Sequence, residues 1–85
     1  MYNCLIMQRS VTYARKAQKI LATQGITSYV TRPPLALSGG ECAHALKVRE
    51  RDLYKCAPCL RQAAIPVDKA YIDLGGNRYR EICLV

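Results

Sequence analysis

The chain has 85 residues, 13 Lys plus Arg against 6 Asp plus Glu, a net charge of +7 and a hydrophobic fraction of 51% with neither Phe nor Trp. That length supports one compact domain, which buries only about 60% of its unfolded surface, and it excludes a multidomain enzyme. The hydrophobic share is too high for a disordered chain, and no apolar stretch approaches the roughly 20 residues of a membrane helix.

The opening segment, Met1 to Met7, has neither the basic leader nor the long apolar run of a signal peptide, so a cytoplasmic location is expected. Five cysteines are an odd number and come without an export signal, which favours reduced thiols over a disulfide scaffold. The basic balance permits nucleic acid or another acidic partner but does not select one.

In chain order, Tyr2 to Gln8 is short and apolar and reads as a strand that runs directly into a helix at Arg9-Ser10. The helix spans about Ser10 to Gln24. Its apolar face holds Tyr13, Ala14, Ala17, Ile20 and Leu21, its opposite face Arg15, Lys16 and Lys19, and Gly25 stops it. Thr27 to Thr31 is β-branched and aromatic, a second strand closed by Arg32-Pro33-Pro34. Pro33 to Gly40 follows as an irregular loop.

From Cys42 to Val48 the alternation places Cys42, His44, Leu46 and Val48 on one face of a third strand and Ala43, Ala45 and Lys47 on the other. A second helix is expected over Arg51 to Ala64, with Asp52 as N-cap, Leu53, Ala57, Leu60 and Ala64 as the buried stripe, and Pro58 as a kink. Lys69 to Leu74 alternates again as a fourth strand, Gly75-Gly76-Asn77 suits a tight turn, and Arg78 to Val85 can return as a fifth, edge strand. The order strand, helix, strand, strand, helix, strand is that of the ferredoxin-like split βαβ motif, an α+β sandwich with two helices on one face of an antiparallel sheet. A single domain over residues 1–85 is expected, with its core in 2–74 and residues 75–85 as an extension.

In that topology the first and third strands are central and antiparallel, so Cys42 neighbours the N-terminus of the first helix. Unpaired N–H groups and the positive end of the helix dipole there favour a thiolate, and Arg9 adds to the effect. Ser10 lies at the helix start, and Gly39 and Gly40 let the backbone approach a ligand closely. A thiolate is the species that attacks sulfur or selenium and carries it as a persulfide or selenosulfide, which makes Cys42 the nucleophile candidate. The competing reading of Cys42 is an ordinary loop cysteine.

At these residues the chain resembles the small selenium/sulfur (Se/S) carrier-like proteins. The resemblance runs from about Asn3 to Ile72 and rests on the first apolar strand, the helix ending in Gly25-Ile26, the proline-containing loop, Ser38-Gly39-Gly40-Glu41-Cys42-Ala43, and the second helix ending before Ile65-Pro66-Val67. It implies that Cys42 takes the place of the carrier cysteine. Glu41 and Ala43 stand where the family has glycine, and the Glu41 carboxylate opposes a lowered thiol pKa.

Cys56-Ala57-Pro58-Cys59 has the spacing of a redox dithiol. That chemistry wants the first cysteine at a helix N-terminus, whereas Cys56 is expected a turn inside the second helix, so a buried Cys56 with a peripheral Cys59 is the expectation. Cys42, His44, Cys56 and Cys59 lack a second closely spaced pair for zinc, and no metal or cofactor is expected. His44 is expected to cap the core through a hydrogen bond.

RNA recognition on this fold calls for stacking residues on the open face of the central strands, where the third strand offers Ala43, Ala45 and Lys47, so nucleic acid is disfavoured. A metallochaperone would carry Cys-x-x-Cys where this chain has Gln8-Arg9-Ser10. The expected function is therefore a sulfur or selenium carrier rather than a true enzyme, working with protein partners in chalcogen transfer. The alternatives are a regulatory or scaffold domain without covalent chemistry and a basic nucleic-acid-binding module. An apolar open sheet face is also expected, with a homodimer covering it.

Overall fold

The structure, a computed structural model, describes residues 2–34, 37, 44–65 and 69–82. Its elements are β1 (Cys4–Gln8), α1 (Val11–Thr23), β2 (Tyr29–Thr31), β3 (His44–Val48), α2 (Glu50–Gln62), β4 (Ala70–Gly75) and β5 (Arg78–Ile82). The strands form one sheet in the order β2-β3-β1-β4-β5, with every neighbouring pair antiparallel. This is an α+β fold, and the chain order of the first six elements is the expected one. The fifth strand does pair with β4, along its outer edge.

Strand alternation decides what the helices cover. Cys4 and Ile6 of β1 pair with Val48 and Leu46 of β3 on one side and with Ile72 and Ala70 of β4 on the other, so inward side chains meet across three strands. Ala14, Ala17 and Leu21 of α1 and Leu53, Cys56 and Leu60 of α2 join them in one buried cluster. Spacings of three and four residues put each helical set on a single stripe. Tyr13 falls outside that stripe and is exposed, because its ring lies at the margin of the face occupied by Ala14 and Ala17.

The second helix departs from expectation at both ends. It starts at Glu50, with Arg49 as an N-cap that makes no side-chain capping bond, while Asp52 lies within the first turn. Glu50 and Asp52 there complement the positive helix end, so the dipole takes over part of the role expected of a cap. The helix runs through Pro58 as one element and ends at Gln62, leaving Ala64 exposed beyond it. Pro58 is exposed too, as is Tyr54, the residue whose carbonyl loses the N–H donor that position 58 would otherwise supply.

Both helices end in the same way. In α1, Gly25 N–H donates to Ala22 O and Ile26 N–H to Leu21 O; in α2, Ala64 N–H donates to Arg61 O and Ile65 N–H to Leu60 O. These paired bonds close a Schellman motif, and in each case the following isoleucine enters the core beside the leucine to which it bonds. The motif needs a left-handed residue. Gly25 adopts φ 74° without penalty, whereas Ala64 is held at φ 58°.

The open face also differs from the apolar surface expected. Leu5 and Ala45 point to it but are buried, while its exposed groups include Lys47 and Tyr29. Alternation conveys which face Leu5 and Ala45 take, but not that both are buried on it. An exposed apolar face therefore supplies no reason here for a second copy to cover it.

Replacing Ala64 with Gly relieves the left-handed strain and keeps both bonds of the motif. Ala64→Gly is expected to stabilise the protein by about 0.5–1 kcal/mol in chemical denaturation, part of the gain being offset by the greater freedom of the unfolded chain. Gly25→Ala should destabilise it by a similar amount.

Candidate functional site

The last rung of the central ladder pairs Gln8 of β1 with His44 of β3. One residue further, Arg9 turns the corner, and Ser10 caps α1 with φ −151° and ψ 163°, its Oγ accepting the Tyr13 N–H at 3.3 Å. The first turn of α1 contains no acidic residue, so no carboxylate there neutralises the positive helix end. The sheet thus delivers His44, Gln8 and a helix N-terminus to one edge, as the topology argument required. Arg9 is exposed at this corner.

Two of these side chains are unusually placed. Gln8 is only 2% exposed, and both its Oε1 and its Nε2 are buried without a hydrogen-bond partner among the described residues. His44 Nδ1 is in the same condition, so the hydrogen bond expected to satisfy this histidine is absent at that atom. A buried donor or acceptor left unpaired costs about 1–3 kcal/mol, and a small domain tolerates several at one place only where something else is gained. Sequence reasoning passed over Gln8. Its signal was the period-two continuation of Cys4 and Ile6, which turns a polar amide inward at the third step.

Cys42, Gly39 and Gly40, the other residues expected here, lie outside the described residues.

The described thiols lie elsewhere and are unreactive by environment. Cys4 and Cys56 are fully buried and Cys59 is half-buried, and all three are free. Burial pushes the Cys4 thiol up to about 11, helped by the Glu50 carboxylate. Burial likewise pushes Cys56 up to about 12, with Asp52, Cys59 and Cys4 adding to it. Cys56 and Cys59 both belong to α2, with Cys56 in its second turn rather than at its N-terminus. The dithiol spacing therefore coincides with a helix stripe, and its first cysteine is held as a protonated thiol instead of the thiolate that redox exchange uses.

Among the described residues, no three His, Cys, Asp or Glu side chains come together as a metal site. No helix among them is long and apolar enough to cross a membrane.

Against known families, residues 3–72 match the one described as putative Se/S carrier protein-like. The chain belongs to this family. The matched region takes in every element from β1 to the middle of β4, together with Cys42 and the segment that precedes it. Comparison with curated proteins and with solved structures gives no significant match.

Because folding raises the pKa of Cys4 and Cys56 above the ordinary 9.0, the folded state favours their protonated form. Their contribution to stability is complete below about pH 9 and is lost as pH rises through 11 to 12. Wild type should therefore lose more stability than Cys56→Ala between about pH 9 and pH 11 in denaturation experiments. At neutral pH an alkylating reagent should modify Cys59 well before Cys4 or Cys56, which open only on unfolding.

Proposed function

We propose that this protein is a sulfur or selenium carrier in which Cys42 holds the cargo as a persulfide or selenosulfide. The observation that carries the reading is the family match, whose span includes Cys42. The chemistry needs little machinery. The Cys42 thiolate attacks the outer sulfur of a donor persulfide, a bond forms from Cys42 Sγ to that sulfur, and the donor leaves as its own thiolate. Discharge reverses the pattern, with an acceptor nucleophile taking the outer sulfur and Cys42 leaving as thiolate. Selenium follows the same course through a bond from sulfur to selenium. The partners are the proteins that donate and accept the chalcogen.

Both steps gain from a stabilised anion at Cys42, and the edge described above offers three sources. The N-terminus of α1 supplies oriented N–H groups, the Gln8 amide supplies a buried donor, and His44 supplies a ring nitrogen. Glu41, next in the chain to Cys42, works in the other direction. On this reading the unpaired amide of Gln8 is the trade: stability given up to hold a hydrogen-bond donor at the end of a strand, ready for a sulfur anion. Arg9 adds positive charge at the same corner, Ser10 fixes where the helix begins, and Gly39 and Gly40 leave the approach to the thiol open.

Incubation with a cysteine desulfurase and cysteine, or with selenocysteine in place of cysteine, should add one sulfur or selenium atom, located on Cys42 by peptide mass spectrometry. Cys42→Ser should abolish the adduct and Cys59→Ser should retain it. An adduct that persists in Cys42→Ser and disappears in Cys59→Ser would overturn the assignment. Gln8→Leu should separate stability from reactivity: it removes the unpaired amide, raising stability by about 1 kcal/mol, while alkylation of Cys42 at neutral pH slows.

A further inference from the structure

The face of the sheet away from the helices carries a second constellation, independent of the thiol chemistry. Four of the six tyrosines gather there: Tyr29 of β2, Tyr71 of β4 and Tyr79 of β5 by strand alternation, and Tyr2 just before β1. Tyr2 and Tyr29 meet edge to face with centroids 4.9 Å apart, and the Arg49 guanidinium lies over the Tyr2 ring at 5.0 Å. Tyr29 is still 51% exposed. Beside this cluster is a pocket of about 130 Å³, lined among others by Tyr2, Leu5, Arg32, Lys47, Asp73 and Tyr79.

That volume is well below the roughly 300–1,000 Å³ of a site that engulfs a small molecule. A ligand for this face lies across it and inserts one group at a time. Flat aromatic surfaces spaced between cations suit a polymer of bases and phosphates, because stacking works with any base and each cation meets a phosphate. The alternation argument that disfavoured nucleic acid considered only the central strands, and those do carry Leu5, Met7, Ala45 and Lys47 on this face. The register puts the aromatic groups on the flanking strands instead, with Lys47 opposite Leu5 on one side and Tyr29 on the other.

We propose that the open sheet face binds single-stranded RNA. Bases stack on Tyr29 and Tyr79, while Arg32, Lys47 and Arg49 meet the phosphates. Among the described residues, Asp73 is the one acidic residue lining the pocket. Its Oδ1 accepts the Gly75 N–H at 2.8 Å, which holds the carboxylate in place as an acceptor for a ribose 2′-hydroxyl, the group that tells RNA from DNA. Glu81, the other carboxylate that alternation directs to this face, is offset by Lys69 at 3.6 Å. The chain's net charge of +7 adds long-range attraction for a polyanion.

Fluorescence anisotropy with a labelled single-stranded RNA of mixed sequence tests this on the full chain. Tyr29→Ala and Tyr79→Ala should each weaken binding about tenfold, and Tyr29→Phe should retain it, as stacking requires. Lys47→Ala should reduce the salt slope by about 0.7, the value of one phosphate contact on a single strand. The double variant Lys16→Ala, Lys19→Ala on α1 should change affinity far less, and Cys42→Ser should bind like wild type, which keeps this proposal separate from the carrier reading. Circular dichroism of each variant guards against loss of fold. Equal weakening by the α1 variant would reveal a diffuse charge effect and overturn the proposal. So would equal affinity for DNA of the same sequence, or a dimer dissolved by Tyr29→Ala but unaffected by RNA.

Discussion

The pairing of β1 with β3 is the constraint on which the rest of this structure hangs. Five consecutive rungs, from Cys4 opposite Val48 to Gln8 opposite His44, fix which side of the sheet each residue faces. A slip of one residue would turn one strand over, sending either Ile6 of β1 or Leu46 of β3 to the open face and, in the second case, bringing Lys47 under the helices, burying a charge. The register is thus enforced by the contents of the core, and the placement of every polar group near the sheet is a consequence of it.

The same ladder explains why chemistry concentrates at one end. At the Cys4 end the inward positions are apolar and belong to the same buried cluster as Leu53, Cys56 and Leu60. At the other end they become Gln8 and His44, just where the chain enters α1. A sheet that changes from sealed core to unpaired polar groups within two residues has one edge suited to meeting a ligand, and the thiols within its core are protonated and withdrawn from exchange. The sealed core and the unpaired polar groups occupy opposite ends of the same two strands.

Much of this was legible in the residues. The period of 3.6 in Ala14, Ala17 and Leu21, the period of two in His44, Leu46 and Val48, the helix start near Ser10 and the stop at Gly25 each reflect a local rule that tertiary structure had no reason to override. What could not be read was what one element does to another. The capping role assigned to Asp52 passed to the helix dipole, because the cap position falls at Arg49, three residues earlier than composition suggests. Ala64 in a left-handed position leaves no mark in the sequence, since glycine would be the natural signal. The unpaired state of Gln8 depends on what packs around it, and the tyrosines of the open face become neighbours only once β2, β4 and β5 flank the central pair. Of the site itself, the sequence pointed to Cys42 and His44, while the buried amide of Gln8 opposite His44 required coordinates.

The strand added after the tight turn has a consequence for how the sheet ends. With β5 in place, the two outer strands are β2, three residues long, and β5, with Arg78, Arg80 and Glu81 among its five. Neither invites a foreign strand: one is too short to template a ladder, and the other carries charge along its length and joins a hairpin bulged between Asp73 and Gly75. Growth of the sheet by strand addition is discouraged at both margins. A small, basic, cysteine-containing protein can therefore exist at high concentration and present its broad surfaces to partners without its edges zipping into fibres.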